Sequence, residues 1–270
     1  MNIQKRFIKF IVSLFVAMLL LAAAGQAHAE IKTAIVTYQE GHVVAHSFLV
    51  YSGAVSTKRP GVLVVPEWWG LNDYAKRRAQ MLAELGYVAM AVDIYGGGKN
   101  AADFKQAAAW SRQLEAGDRK ELRARIADAL QELKRNRLVD PRYTAAIGYC
   151  FGGATVLELA RSGAEVTGVV SFHGPLNTHD PAKPGQVKAK ILVCQGANDP
   201  FVPPAEVVAF EDEMRKADAD WEVNIYSGAQ HSFTNPDADK LHFSGLAYNK
   251  EADHRSWQAM RDFFKDIFNQ

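Results

Sequence analysis

A doubly wound α/β fold, with eight mostly parallel strands and helices on both faces of the sheet, is what this sequence predicts. Three observations predict it. Runs rich in β-branched residues alternate with longer stretches of helical periodicity, the pattern of successive βαβ units. The run Gly61–Val65 (GVLVV) is apolar or glycine throughout and lies between Pro60 and Pro66, as expected of a strand covered on both faces. Chemically distinctive residues fall just after strand ends, where sheets of this kind form their sites.

The elements follow in order. Ile31–Tyr38 and Val43–Val50 read as an opening hairpin turned at Glu40-Gly41, followed by the strand Gly61–Val65. Tyr74–Leu85 reads as a helix, capped by Asn72 or Asp73 and ended by Gly86. Val88–Val92 is the next strand. Asp103–Glu115 and Asp118–Asn136 are helices separated at Gly117, the second carrying Leu122, Ile126, Leu130 and Leu133 at core-facing spacing. A strand at Tyr143–Tyr149 leads through Cys150 into a helix from Gly152 to Arg161. Val166–Phe172 and Ile191–Cys194 are strands, Pro204–Ala217 a helix, Glu222–Tyr226 the last strand and Asn249–Phe268 the closing helix.

The first 29 residues read differently. Lys5, Arg6 and Lys9 precede a run from Phe10 to Ala24 that is almost wholly apolar, and Ala27-His28-Ala29 is a small-x-small cleavage pattern. That is the composition of a secretory signal peptide, and the run falls short of the roughly 20 residues a spanning helix needs. The expected organisation is a signal peptide over residues 1–29 and a single domain over 30–270, placed in the periplasm or outside the cell. Cleavage would remove three of the 31 Lys and Arg and none of the 30 Asp and Glu, leaving a net charge of −2. Such a balance excludes an electrostatic case for nucleic acid or for an anionic membrane surface. Two cysteines do not make a disulfide scaffold.

Gly148-Tyr149-Cys150-Phe151-Gly152 has the form G-x-Nu-x-G between a strand and a helix. A nucleophile elbow needs small neighbours because its backbone is strained and closely approached. The helix that follows favours a thiolate at its N-terminus. Cys150 could instead be a buried structural cysteine, yet Gly152-Gly153 directly after a core strand has no use in that reading. Downstream, Asp199 and His231 each follow a strand end, in the order nucleophile, acid, base. Alone, Asp199 reads as a turn residue beside Pro200 and His231 as a loop histidine. Together with Cys150 they form a Cys-His-Asp set for acyl transfer. His173 is the second choice of base. The oxyanion hole is expected from the N–H groups of Phe151 and Trp68, with Glu67 projecting a carboxylate towards Cys150. Trp69, Tyr95, His173 and Phe233 are candidates for the substrate pocket. No metal or cofactor is called for.

These motifs, with Pro66-Glu67-Trp68-Trp69-Gly70-Leu71-Asn72, Asp93-Ile94-Tyr95-Gly96 and Asp199-Pro200-Phe201-Val202-Pro203, resemble the dienelactone hydrolase (carboxymethylenebutenolidase-like) family. The resemblance runs from about Gly41 to Phe268 and implies the α/β-hydrolase fold. It also implies a Cys150–His231–Asp199 triad and a part for Glu67 in switching the Cys150 thiol to thiolate. In that family, arginines after the Asp-Ile-Tyr motif and after the catalytic histidine bind a substrate carboxylate. Here those stretches read Gly96-Gly97-Gly98-Lys99 and Ser232-Phe233-Thr234-Asn235, without arginine. A single lysine replaces a bidentate arginine poorly, so a less charged ester or lactone is expected.

The function expected is hydrolysis of a carboxylic ester or lactone by a monomer or weak homo-oligomer. Two alternatives use the same residues: acyl transfer to an acceptor other than water, and a non-catalytic binding or redox protein on a hydrolase fold. A Cys150–Cys194 bridge would favour the latter, but strands two apart exceed the roughly 7 Å limit between bridged Cα atoms.

Overall fold

The computed structural model describes residues 30–40, 43–53 and 57–269. The expected signal segment, the hairpin turn at Gly41 and the last residue lie outside them. From Ile31 on, the chain forms one compact unit.

Eight strands make one sheet: β1 (Ile31–Glu40), β2 (Val43–Ser52), β3 (Arg59–Val65), β4 (Val88–Ala91), β5 (Val139–Tyr149), β6 (Gly168–Phe172), β7 (Lys190–Gly196) and β8 (Trp221–Tyr226). Their order is β1-β2-β4-β3-β5-β6-β7-β8. The β1–β2 and β2–β4 pairs are antiparallel, and every other pair is parallel. Among the described residues six α-helices are interleaved: α1 (Asp73–Glu84), α2 (Phe104–Glu115), α3 (Lys120–Arg135), α4 (Phe151–Arg161), α5 (Pro204–Lys216) and α6 (Lys250–Phe268). No helix among the described residues is long and apolar enough to cross a membrane.

The period of two in β3 decides which face each residue serves. Leu63 and Val65 join the core under α3 and α4, while Val62 and Val64 join the core under α1 and α6. All four are fully buried. Each contributes about 1.5–3 kcal/mol of burial, which is why the strand is apolar on both sides. Helix starts follow local chemistry: Asn72 Oδ1 accepts from the Ala75 N–H at 3.1 Å, and Asp103 Oδ1 accepts from the Gln106 N–H at 2.8 Å.

Several boundaries shift from the sequence expectation, and two of the shifts have a local cause. β5 begins at Val139, four residues early, and its register with β3 shifts between Arg59 and Gly61. Pro60 and Pro141 lie in this irregular stretch and can donate nothing to a ladder. β6 begins at Gly168 although Val166 is buried, because the Val166 N–H closes a turn on the Ala164 carbonyl at 2.9 Å.

The parallel register brings the strand ends level. Val65 pairs with Gly148, Tyr149 with Phe172, Phe172 with Cys194 and Gly196 with Tyr226. The loops after β3, β5, β6, β7 and β8 therefore open on one edge. α4 is buried along its whole length. Its Glu158, with no exposed surface, meets Arg119 at 3.0 Å, Arg123 at 2.7 Å and Arg161 at 3.1 Å. The ion-rich side of this helix faces protein rather than water.

Candidate active site

The turn from β5 into α4 is built by glycine. A Cβ on Gly148 would stand 1.9 Å from the Gly152 carbonyl oxygen, and one on Gly152 would stand 2.3 Å from that of Val65. The chain can thus fold back tightly over the end of β3. Cys150 at the apex has φ 54° and ψ −119°, a strained backbone costing on the order of 1–3 kcal/mol. Its N–H donates to the Phe172 carbonyl at 3.0 Å, which fixes the apex to β6. The Cys150 side chain is part-exposed and lines a cavity of about 310 Å³.

His231 lines the same cavity. Its Nδ1 is 2.8 Å from Asp199 Oδ2, and Cys150 lies near enough to favour charge on the ring. Burial opposes charge on this imidazole, but Cys150 and Asp199 outweigh it and raise its pKa from 6.5 to about 10. Asp199 is held in turn. Its Oδ2 also accepts from Gln195 Nε2 at 2.9 Å, and its Oδ1 accepts from the Phe201 N–H at 2.9 Å. Gln195, on β7, was not singled out by sequence reasoning, because one buried glutamine in a strand carries no motif.

Trp68 and Phe151 both line the cavity, and neither backbone N–H finds an acceptor among the described residues. Tyr95 lies behind them. Its hydroxyl donates to the Trp68 carbonyl at 3.0 Å, and its ring stacks on Phe151 at 5.8 Å. Burial pushes the phenol pKa up, so the hydroxyl stays a donor.

Of the four pocket candidates, Trp69 lines the cavity, whereas Tyr95, His173 and Phe233 do not. All three are buried behind its wall. A strand end locates a residue, but the direction of its side chain depends on the packing beneath. His173 has no exposed surface, and its Nε2 lies 2.7 Å from Thr234 Oγ1. Its pKa lies well below the usual value, first through burial and then through His231 and Arg78. It stays neutral, with its ring 5.2 Å from that of His231.

Glu67 is buried, and its two carboxylate oxygens accept from Ser232 Oγ at 2.8 Å and Asn235 Nδ2 at 2.9 Å. Burial raises its pKa, against those two donors and the charges of His231 and Arg78. In this arrangement Glu67 pins the loop after His231. Acting on Cys150 would require it to leave these partners. Asn235, in the stretch that lacks arginine, is one of them.

The cavity also receives residues the motifs did not mark. Helix α2 contributes Ser111, Arg112 and Glu115, and a late loop contributes Phe243 and Leu246. Arg112 is thus an arginine at the cavity, reached from a helix rather than from either of the two loops. The i, i+1 and i+4 spacing of the α2 residues was the available signal. Cys194 lies elsewhere: it is on β7, two strands from β5, in the core under α1 and α6. Burial pushes its thiol up to about 12. Both cysteines are free.

Comparisons with known proteins give the family and the fold. The sequence profile described as "Dienelactone hydrolase family" matches residues 45–268. A solved dienelactone hydrolase-like promiscuous phosphotriesterase from metagenomic libraries is 40% identical, with a TM-score of 0.82 over 88% of this chain and 98% of its own. A Bradyrhizobium protein named a probable 2-oxo-3-(5-oxofuran-2-ylidene)propanoate lactonase is 29% identical over 66% of this chain and 75% of its own. The dienelactone hydrolase of Anabaena variabilis shares the fold at 19% identity, with a TM-score of 0.61 over 86% of this chain and 98% of its own.

Proposed function

Because this chain belongs to the dienelactone hydrolase family and is a hydrolase of that kind, we propose that it cleaves carboxylic esters or lactones with Cys150 as nucleophile. What supports the reading is His231, held by Asp199 and lining the same largely apolar cavity as Cys150. His231 takes the thiol proton on Nε2 while Asp199 fixes the Nδ1–H tautomer. The thiolate attacks the carbonyl carbon, and the Phe151 and Trp68 N–H groups hold the oxyanion. His231 returns its proton to the departing alkoxide, leaving an acyl-thioester. Water, deprotonated by His231, then releases the acid. Glu67 enters this scheme as the pin of the His231 loop, and thiol activation by it as a movement away from Ser232 and Asn235.

Residues 1–29 are read as an export signal, supported by their charge and apolar pattern alone. One mass-spectrometric experiment addresses both readings. The mature protein from the native host should begin at Glu30, and brief exposure to a slowly deacylating ester should add one acyl mass to the peptide containing Cys150. An adduct on another residue, with Cys150 untouched, would remove the nucleophile assignment. The 40% identity to a phosphotriesterase supports a second substrate class, neutral phosphotriesters, which an aryl dialkyl phosphate in the same panel would test.

The pH profile follows from the His231 shift. Its pKa is raised, so an imidazole that has taken the thiol proton keeps it through neutral pH and gives it up only as pH climbs towards about 10. Hydrolysis of an alkyl ester needs that proton for the leaving alkoxide. kcat/KM should therefore stay level well above pH 6.5 and fall only on the far alkaline side. An alkaline limb at the ordinary histidine value would contradict the raised His231 pKa.

A further inference from the structure

We propose that Phe201 and Phe243 form a subsite for the alcohol half of the substrate, and that it selects uncharged arylalkyl esters. The inference rests on the hydrolase reading for its orientation and adds to it the substrate class.

An arc of aromatic rings runs along the cavity, with Trp69, Phe243 and Phe201 in its lining. Trp69 meets Phe104 at 5.0 Å, Phe104 stacks on Phe243 at 4.9 Å, Phe243 meets Phe201 at 6.2 Å, and Phe201 meets His231 edge-on at 5.3 Å. The arc ends on the group that protonates the leaving oxygen. A ring on the alcohol half, one carbon from that oxygen, falls against Phe201 and Phe243. Both are exposed to more than 40%, unlike most large apolar side chains among the described residues. Apolar surface left open at a site rim fits a ligand.

The subsite is preformed. His231 N–H donates to the Gly245 carbonyl at 3.1 Å, and Ala247 N–H donates to the His231 carbonyl at 3.2 Å. These bonds tie the loop bearing Phe243 to His231 on both sides. A Cβ on Gly245 would stand 2.6 Å from Pro200 and 3.0 Å from Phe201, so the two loops pack at contact distance. Charge argues for a neutral ligand. Apart from the reacting His231, the charged residues lining the cavity are Arg112 and Glu115, one of each sign on the same helix. The volume, about 310 Å³, lies at the small end of ligand pockets and suits a single ring beside a short acyl group.

The test compares benzyl, cyclohexylmethyl and ethyl acetate, whose leaving alcohols have similar basicity, in the wild type and in Phe243→Ala and Phe243→Leu. Benzyl acetate should exceed cyclohexylmethyl acetate in kcat/KM by about three- to tenfold, the contribution of ring–ring contact beyond burial. Phe243→Ala should lower kcat/KM for benzyl acetate about tenfold, several times more than it lowers kcat/KM for ethyl acetate. Phe243→Leu, which keeps bulk and lacks the ring, should abolish the benzyl preference. Equal losses on benzyl and ethyl acetate would overturn the subsite, since a loop that merely positions His231 would act on both. Benzyl alcohol binding, followed by tryptophan fluorescence, separates the two readings. Binding weakened by Phe243→Ala in a protein that hydrolyses no ester would sink the hydrolase reading and keep the subsite. Turnover of ethyl acetate without benzyl preference would do the reverse.

Discussion

Replacing Cys150 by alanine should lower kcat for ester hydrolysis by roughly 10⁴-fold or more, with an unchanged unfolding midpoint. The size follows from what the residue combines under the proposed mechanism. It supplies the bond-forming sulfur, and its backbone, at φ 54°, aims that sulfur into the cavity from the start of α4. It also sets the charge of its base, since Cys150 is foremost among the influences raising His231. Stability should be spared because the side chain is part-exposed and makes no capping hydrogen bond. Cys150→Ser keeps an elbow nucleophile but loses the easily formed thiolate, and should fall between the two. Kinetics on a chromogenic ester with matched denaturation curves checks this. An alanine variant turning over at the parent rate would remove the Cys150 mechanism, and a parent protein that turns over no ester would favour the binding or redox alternative.

Glu158→Ala should be the most damaging change far from the cavity, costing about 3–5 kcal/mol of unfolding free energy. Glu158 has no exposed surface and holds three guanidinium groups, those of Arg119, Arg123 and Arg161. Arg161 is 1% exposed and also pairs with Glu213 at 2.8 Å. Arg119 donates to the Asn177 carbonyl at 2.8 Å and to its side-chain oxygen at 3.0 Å. Removing the carboxylate leaves buried cations that cannot shed their charge, and the cost is that desolvation rather than the strength of any one pair. Because Glu158 lies on the helix whose N-terminus follows Cys150, activity should fall with stability as temperature rises. Urea denaturation measures the effect, and a loss below about 1 kcal/mol would mean that water replaces the carboxylate.

The strand order of the site was legible because each step is local. An apolar run followed by a glycine-flanked Cys150, or by Asp199 or His231, puts a polar residue just beyond a strand, and parallel register does the rest. The expected trio lies at three strand ends, with His231 and Asp199 2.8 Å apart. Reach was not legible. Tyr95, His173 and Phe233 sit at or beside strand ends yet turn into the core. Glu67 is bound to residues 165 and 168 positions away in the chain.

By itself, the sequence determined the element order, the two-faced sheet core, the glycine turn around Cys150 and the absence of arginine from two loops. Those follow from periodicity and backbone sterics, which act between near neighbours. Only the tertiary structure decided that Asn235 holds Glu67, that Arg112 reaches the cavity from α2, that three arginines converge on Glu158, and that Phe243 stands beside Phe201. Each joins segments distant in the chain, and a local pattern records how much a residue is buried without recording against what.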